Sequence, residues 1–158
     1  MAKVYLIAGR ICAGKSTFAE KLRLEKKAVN LSTDEITLAI FGQHIGEKHD
    51  EVVERTQNYL FNKSLELIEC DINVILDWGF WQRAERDEAR SFYAARGIET
   101  EFFYIDIPED EWKRRISKRN REIEENRISA YFVDENLRIK FGNMFEEPEE
   151  DEEMTFVR

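Results

Sequence analysis

Gly9-Arg10-Ile11-Cys12-Ala13-Gly14-Lys15-Ser16-Thr17 is the stretch on which the fold turns. It fits G-x-x-x-x-G-K-[ST] and stands where that pattern has a mechanism. Before it lies the apolar run Val4 to Ala8, and after it Phe18, Ala19 and Leu22 recur at helical spacing. Strand, glycine loop and helix in that order aim successive backbone N–H groups and a helix N-terminus at one point, which suits a chain of phosphates. Lys15 then supplies charge between β- and γ-phosphates, and the Ser16 hydroxyl reaches Mg²⁺. Gly9, Ile11, Cys12, Ala13, Gly14, Lys15, Ser16 and Thr17 form the expected nucleotide-binding set, with ATP and Mg²⁺ as cofactors.

Outward from the loop the chain alternates. Ala28 to Leu31 reads as a short strand, and Ser32-Thr33-Asp34-Glu35 as a helix start, with Phe41-Gly42 as its end. Asp50 to Cys70 carries apolar residues at three- and four-residue spacing, the mark of one long amphipathic helix, with Cys70 read as core. Ile72 to Leu76 reads as a buried strand ending at Asp77, followed by a turn at Trp78-Gly79-Phe80-Trp81 and a charged helix to about Arg96, stopped by Gly97. Glu101 to Ile107 is a further strand, Pro108 and Asp134 open two more helices, and Met154 to Val157 is a fifth strand. The expectation is an α/β three-layer fold: a parallel sheet of about five strands, helices on both faces, and a small helical lid over about 113–128. No repeat or linker divides residues 1–158, so one domain is expected.

Composition narrows the class. Of 158 residues 42% are hydrophobic, with 11 Phe, enough for a core. The net charge is −9, which disfavours polynucleotide binding over the surface as a whole. Seven carboxylates occupy residues 146–153, and without them the charge is −2; this segment is expected to be solvated. The opposite bias lies at Lys113, Arg114, Arg115, Lys118, Arg119 and Arg121. Two cysteines make no disulfide framework or familiar zinc site, and no apolar run is long enough for a membrane span, so a cytoplasmic setting is expected.

The candidate acceptor chemistry begins at Asp34, which leaves the second strand beside the phosphate loop. An alcohol must lose its proton to accept a phosphoryl group, so a carboxylate there suits a general base or positioning group. The bland alternative is that Asp34 or Ser32 caps a helix. Asp77, at a strand end, is a candidate to hold Mg²⁺ through water or to bind the acceptor; the alternative is a turn cap. Trp78 is a candidate wall for a ring or sugar face, or else a core anchor. Arg86 and Arg83 are candidates for an acceptor anion, or for ion pairs with Glu85, Asp87 and Glu88. His44 and His49 flank a polar loop and read as surface residues. Cys12 is either an oxidisable thiol or a small buried side chain.

These residues resemble the nucleoside-monophosphate-kinase-like branch of P-loop kinases, especially the AAA-type small kinases that include polynucleotide kinase, zeta-toxin-like and chloramphenicol-phosphotransferase-like proteins. The resemblance rests on the loop at 9–17, S-T-D at 32–34, L-D-W-G-F-W at 76–81 with Arg83 and Arg86, and W-K-R-R-I-S-K-R-N at 112–120. Members commonly have glycine where this chain has Cys12 and Ala13, which bears on loop flexibility. The acidic ending from Phe145 is also similar. The resemblance implies that Arg115 stacks on adenine and Arg119 meets charge on the transferring phosphoryl. Arg114 with Lys118 has the same spacing and stays open as the pair. The implied activity is transfer of the γ-phosphoryl of ATP to a hydroxyl of a small acceptor, catalysed through Lys15, Asp34 and Arg119. The alternatives are a polynucleotide 5′-hydroxyl kinase and a nucleotide-binding ATPase or switch.

Overall fold

Apolar segments of the chain form one parallel sheet in the order β2-β3-β1-β4-β5, built from β1 (Val4–Ala8), β2 (Ala28–Asn30), β3 (Asn73–Gly79), β4 (Thr100–Ile105) and β5 (Thr155–Val157). The structure is a computed structural model that describes residues 1–43, 45–128 and 130–158. Between the strands run α1 (Lys15–Lys26), α2 (Thr33–Phe41), α3 (His49–Glu69), α4 (Arg83–Ala94), α5 (Glu109–Glu124) and α6 (Glu135–Met144), with one 3₁₀ turn at Gly46–Lys48.

The period-two alternation of a strand divides the core into two layers. Val4, Leu6 and Ala8 of β1 join Val74 and Leu76 of β3 on one face, against Leu60 of α3 and Ala89 and Tyr93 of α4. Tyr5, Ile7 and Ile75 point to the other face, against Ala19 and Leu22 of α1. β1 has no exposed residue because it is covered on both faces, as parallel central strands are. A third cluster, Trp112 and Ile116 of α5 with Val133, packs against Ile11 and Cys12 and seats the lid helix on the glycine loop.

Three sequence expectations change. β3 does not stop at Asp77 but continues through Trp78 to Gly79, because Gly79 pairs with Ala8 across a register shift in β1. Cys70 is exposed as the C-cap of α3 instead of lying in the core. The acidic segment is not simply solvated: Glu152 is buried, and its carboxylate takes hydrogen bonds from Arg86 Nε at 2.7 Å and Arg86 Nη2 at 3.0 Å. Asp151 holds Arg83 in a two-bond fork at 2.8 and 2.7 Å, so residues 146–153 strap down over α4. Among the described residues, no helix is long and apolar enough to cross a membrane.

Candidate active site

The loop between β1 and α1 is held from outside by its carbonyls. Trp81 Nε1 donates to Gly9 O (3.2 Å), Lys15 Nζ to Arg10 O (2.8 Å), Trp112 Nε1 to Ile11 O (2.6 Å) and Arg115 Nη1 to Ala13 O (2.9 Å). The first N–H groups of α1 have no intrahelical acceptor, so the loop offers donors to an anion. Gly14 caps α1 in the left-handed region at φ 102°, and a Cβ there would meet Arg115 Nη1 at 3.1 Å, so glycine serves both the turn and the close approach.

Around this loop the charged candidates converge. Withdrawal from water pushes the Lys15 ammonium below its ordinary range, while Asp34, Asp77 and Cys12 pull it back and Arg119 adds to the fall. Burial pushes the Asp77 carboxyl up, opposed by Asn30, the Ser32 hydroxyl and the Lys15 charge. Asn30 Nδ2 donates to Asp77 Oδ2 at 3.2 Å, a contact between neighbouring strands that nothing in the local sequence announces. Arg119 Nη1 lies 3.1 Å from Cys12 Sγ, and Cys12 is only half-buried, with φ 60°. Four buried side-chain polar atoms lack a partner among the described residues: Asn30 Oδ1, Thr33 Oγ1, Asp77 Oδ1 and Arg119 Nε. All four belong to residues of this cluster and its α2 corner, and buried polar atoms left open together mark a place built for something else to bind.

Several alternatives resolve in the geometry. Ser32, not Asp34, caps α2, its hydroxyl accepting from Glu35 N at 3.3 Å, and Asp34 is left exposed beside the loop. Arg115 and Arg119 face the loop, whereas Arg114 and Lys118 point outward, their side chains 75% and 74% exposed. Arg86 is a correction: it is wholly buried, and its guanidinium is committed to Glu152 and to the carbonyls of Phe80 (2.9 Å) and Glu146 (3.0 Å), so it is closed off from an acceptor anion. Its partner is also not Glu85, Asp87 or Glu88. Trp78 is half-buried, its indole N–H donating to Leu31 O at 2.7 Å while its ring meets Phe61 edge-on. His49 opens α3 and meets Tyr131 edge-on; His44 lies outside the described residues. Ser16 and Thr17 are exposed at the start of α1.

Sequence reasoning passed over the closure from the lid side. The Tyr131 and Thr37 hydroxyls share a hydrogen bond at 2.9 Å, and Gln43 bonds the Ala130 carbonyl, so the segment after α5 is tied to α2 and the residue that follows its end cap.

The family model that matches this arrangement is described as an AAA domain and covers residues 4–135, from β1 to the start of α6. The chain belongs to that AAA domain family. Solved structures with this fold include a sugar kinase from a Janibacter species, which is 18% identical over 99% of this chain and 85% of its own, with TM-score 0.69. A chain of an RNA repair complex superposes with TM-score 0.70 at 21% identity, over 90% of this chain but only 43% of its own length. The APS kinase of Mycobacterium tuberculosis, solved with AMPPNP and APS, gives TM-score 0.65 at 19% identity over 98% and 88% of the two chains. At such identities these likenesses speak for the fold, a P-loop kinase-like AAA domain. No curated protein matches the chain in sequence.

Proposed function

We propose that this AAA domain protein is an ATP-dependent kinase that phosphorylates the hydroxyl of a small acceptor, the whole chain acting as one domain. The observation that supports this best is the meeting of Lys15, Asp34, Asp77 and Arg119 at one loop, with the Asp77 and Arg119 side chains each keeping a buried atom that has no partner among the described residues. Asp34, exposed beside the loop, is placed to take the proton that an attacking alcohol oxygen must shed; a hydrolytic water has the same need, so acceptor labelling is what separates the two activities.

Loop N–H groups and Lys15 would hold the β- and γ-phosphates, Arg115 would lie against the base, and Arg119 would meet charge on the moving phosphoryl. The donor set suits magnesium: a Ser16 hydroxyl and the open Asp77 Oδ1 are hard oxygens, and Mg²⁺ ordinarily uses one or two such groups beside phosphate and water. When bound, the ion would neutralise charge on the β- and γ-oxygens. Asp34 takes the proton of the acceptor hydroxyl while that oxygen forms its bond to the γ-phosphorus. The bond from the γ-phosphorus to the bridging oxygen breaks, and ADP leaves with that electron pair.

The test follows label from γ-labelled ATP into nucleosides, sugars, amino alcohols, aminoglycosides and a 5′-hydroxyl oligonucleotide, with wild type and Asp34→Ala in parallel. Transfer that disappears in the variant while nucleotide binding persists is the expected result. ATP turnover that is indifferent to Asp34→Ala and to every acceptor would instead favour a nucleotide switch. A polynucleotide acceptor is the second reading, favoured by the open groove that Lys113, Arg114, Lys118 and Arg121 line on the outer side of α5.

A further inference from the structure

Beside the carboxyl end of β3, on the sheet face opposite α1, a cavity of about 110 Å³ is lined by Gln57 and Phe61 of α3, Trp78 and Phe80, and Glu85 and Glu88 of α4. Three of the six lining residues are aromatic. Phe61 meets Trp78 edge-on with centroids 4.9 Å apart, and Trp78 stacks on Phe80 at 5.7 Å. Its rim is acidic and short of cations. Arg83 and Arg90 of α4 are turned to Asp87, Asp151 and Glu152, and Arg96 lies over the Phe92 ring. Glu85 accepts from Gln82 N at 3.0 Å, and Glu88 forms no ion pair among the described residues. Trp78 ties the cavity to the segment that opens α2, since its indole N–H holds the Leu31 carbonyl just before Ser32-Thr33-Asp34.

Aromatic faces with two carboxylates form an environment for positive charge: ring quadrupoles and carboxylates both attract a cation, and a desolvated ammonium gains most. An anionic acceptor would meet repulsion at the same rim. The cavity, partly open at its rim, has room for an ammonium head with a few carbons. We propose that this cavity takes the ammonium group of the acceptor, so that the substrate class is an amino alcohol. This rests on the kinase reading above, and the chemistry is unchanged: the hydroxyl oxygen gains the phosphoryl and loses its proton, while the ammonium keeps its charge and serves only as a handle.

The test has two readouts on the full chain. Calorimetric titration compares choline and ethanolamine with dimethylbutanol, the uncharged isostere of choline, in wild type, Glu88→Gln and Glu85→Gln, the last keeping an acceptor for the Gln82 amide. Label transfer from ATP to the same compounds runs beside it. At least one of the two cations should bind about tenfold better than dimethylbutanol, and Glu88→Gln should erase most of that margin with the thermal midpoint unmoved. Equal affinity for charged and uncharged compounds, no binding of either cation, or cation binding indifferent to Glu88→Gln overturns the assignment. Cation binding that depends on Glu88 without label transfer to either cation overturns the assignment of the acceptor and leaves the kinase reading to the wider acceptor panel. Label transfer to a neutral or anionic alcohol, indifferent to Glu88, keeps the kinase and removes the cavity.

Discussion

At Asp34 a single exposed carboxylate carries the acceptor side of the proposed reaction. The side chain is exposed, and the capping duty at the start of α2 belongs to Ser32, so Asp34→Asn keeps the cap and costs the helix only a favourable first-turn charge, about 0.3–1 kcal/mol. Phosphoryl transfer should fall by about a hundredfold to ten-thousandfold, the usual contribution of a positioned base, while the ATP dissociation constant stays within about twofold. Transient kinetics and nucleotide titration measure the two. A second residue tests the loop's foundation. Gly79 ends β3 at φ 83°, receives the Gly9 N–H at 2.9 Å, and has no room for a Cβ, which would lie 2.8 Å from Trp81 Nε1 and 3.1 Å from Gly9 O. Gly79→Ala therefore carries both backbone strain and the loss of the Trp81 bond to the loop. A destabilisation of about 1–3 kcal/mol is expected in urea unfolding, with weaker nucleotide binding. An unchanged midpoint would contradict the contact.

On the scale of elements, the acidic strap over α4 shows where the sequence stopped being legible. Helical spacing, the Asp134 cap, Pro108 ahead of α5 and the Gly97 stop are local patterns, and the observed elements follow them. The loop motif is equally local, which is why the fold and the phosphate-binding set could be read at once. The Arg86–Glu152 pair spans 66 residues, so a run of carboxylates near the end gave no sign that one of them is buried. Asn30 beside Asp77 and Tyr131 beside Thr37 are hidden for the same reason. Burial acts to raise the Glu152 carboxyl, but hydrogen bonds from Arg86 and the Glu149 amide outweigh it and hold the carboxyl at about 2, against 4.5 ordinarily. The folded value lies below the unfolded one, so this stabilisation is complete above about pH 4.5 and is lost as pH falls toward about 2. Glu152→Gln leaves Arg86 buried with an uncompensated charge and should cost about 3–5 kcal/mol at neutral pH. Its stability should also decline less between those two pH values than the wild type's, as unfolding followed by circular dichroism would reveal. Parallel acid limbs for the two proteins would show that the strap is not held this way.

Across the whole molecule, the question is whether the charge distribution admits a polynucleotide. The net charge of −9 includes the acidic run, yet Glu147, Glu149, Asp151 and Glu152 face Arg10, Arg83, Arg86 and Arg90, so part of that run is already balanced within the fold. The basic helix is balanced only in part, since Glu109 is shared with Arg10, Glu111 is shared with Arg115, and Arg121 has no ion pair among the described residues. On its outer side Lys113 faces Glu109 at 3.7 Å, Arg114 faces Glu111 at 2.5 Å and Lys118 faces Glu122 at 4.0 Å. A phosphate backbone arriving there must compete with carboxylates already in place, and few counterions would be released in exchange. Its inner side, Arg115 and Arg119, is turned to the glycine loop and is available only to a ligand lying within the site. Binding of a 5′-hydroxyl oligonucleotide should therefore be weak, with log K falling against log salt at a slope no steeper than about −2, equivalent to about two phosphates of a duplex or three of a single strand. Fluorescence anisotropy over about 50–200 mM salt measures that slope. A slope near −6 would mean that the α5 ion pairs give way to phosphates, and it would move the polynucleotide reading ahead of the small acceptor. A shallow slope leaves the cavity between α3 and α4 as the place where acceptor selectivity is set.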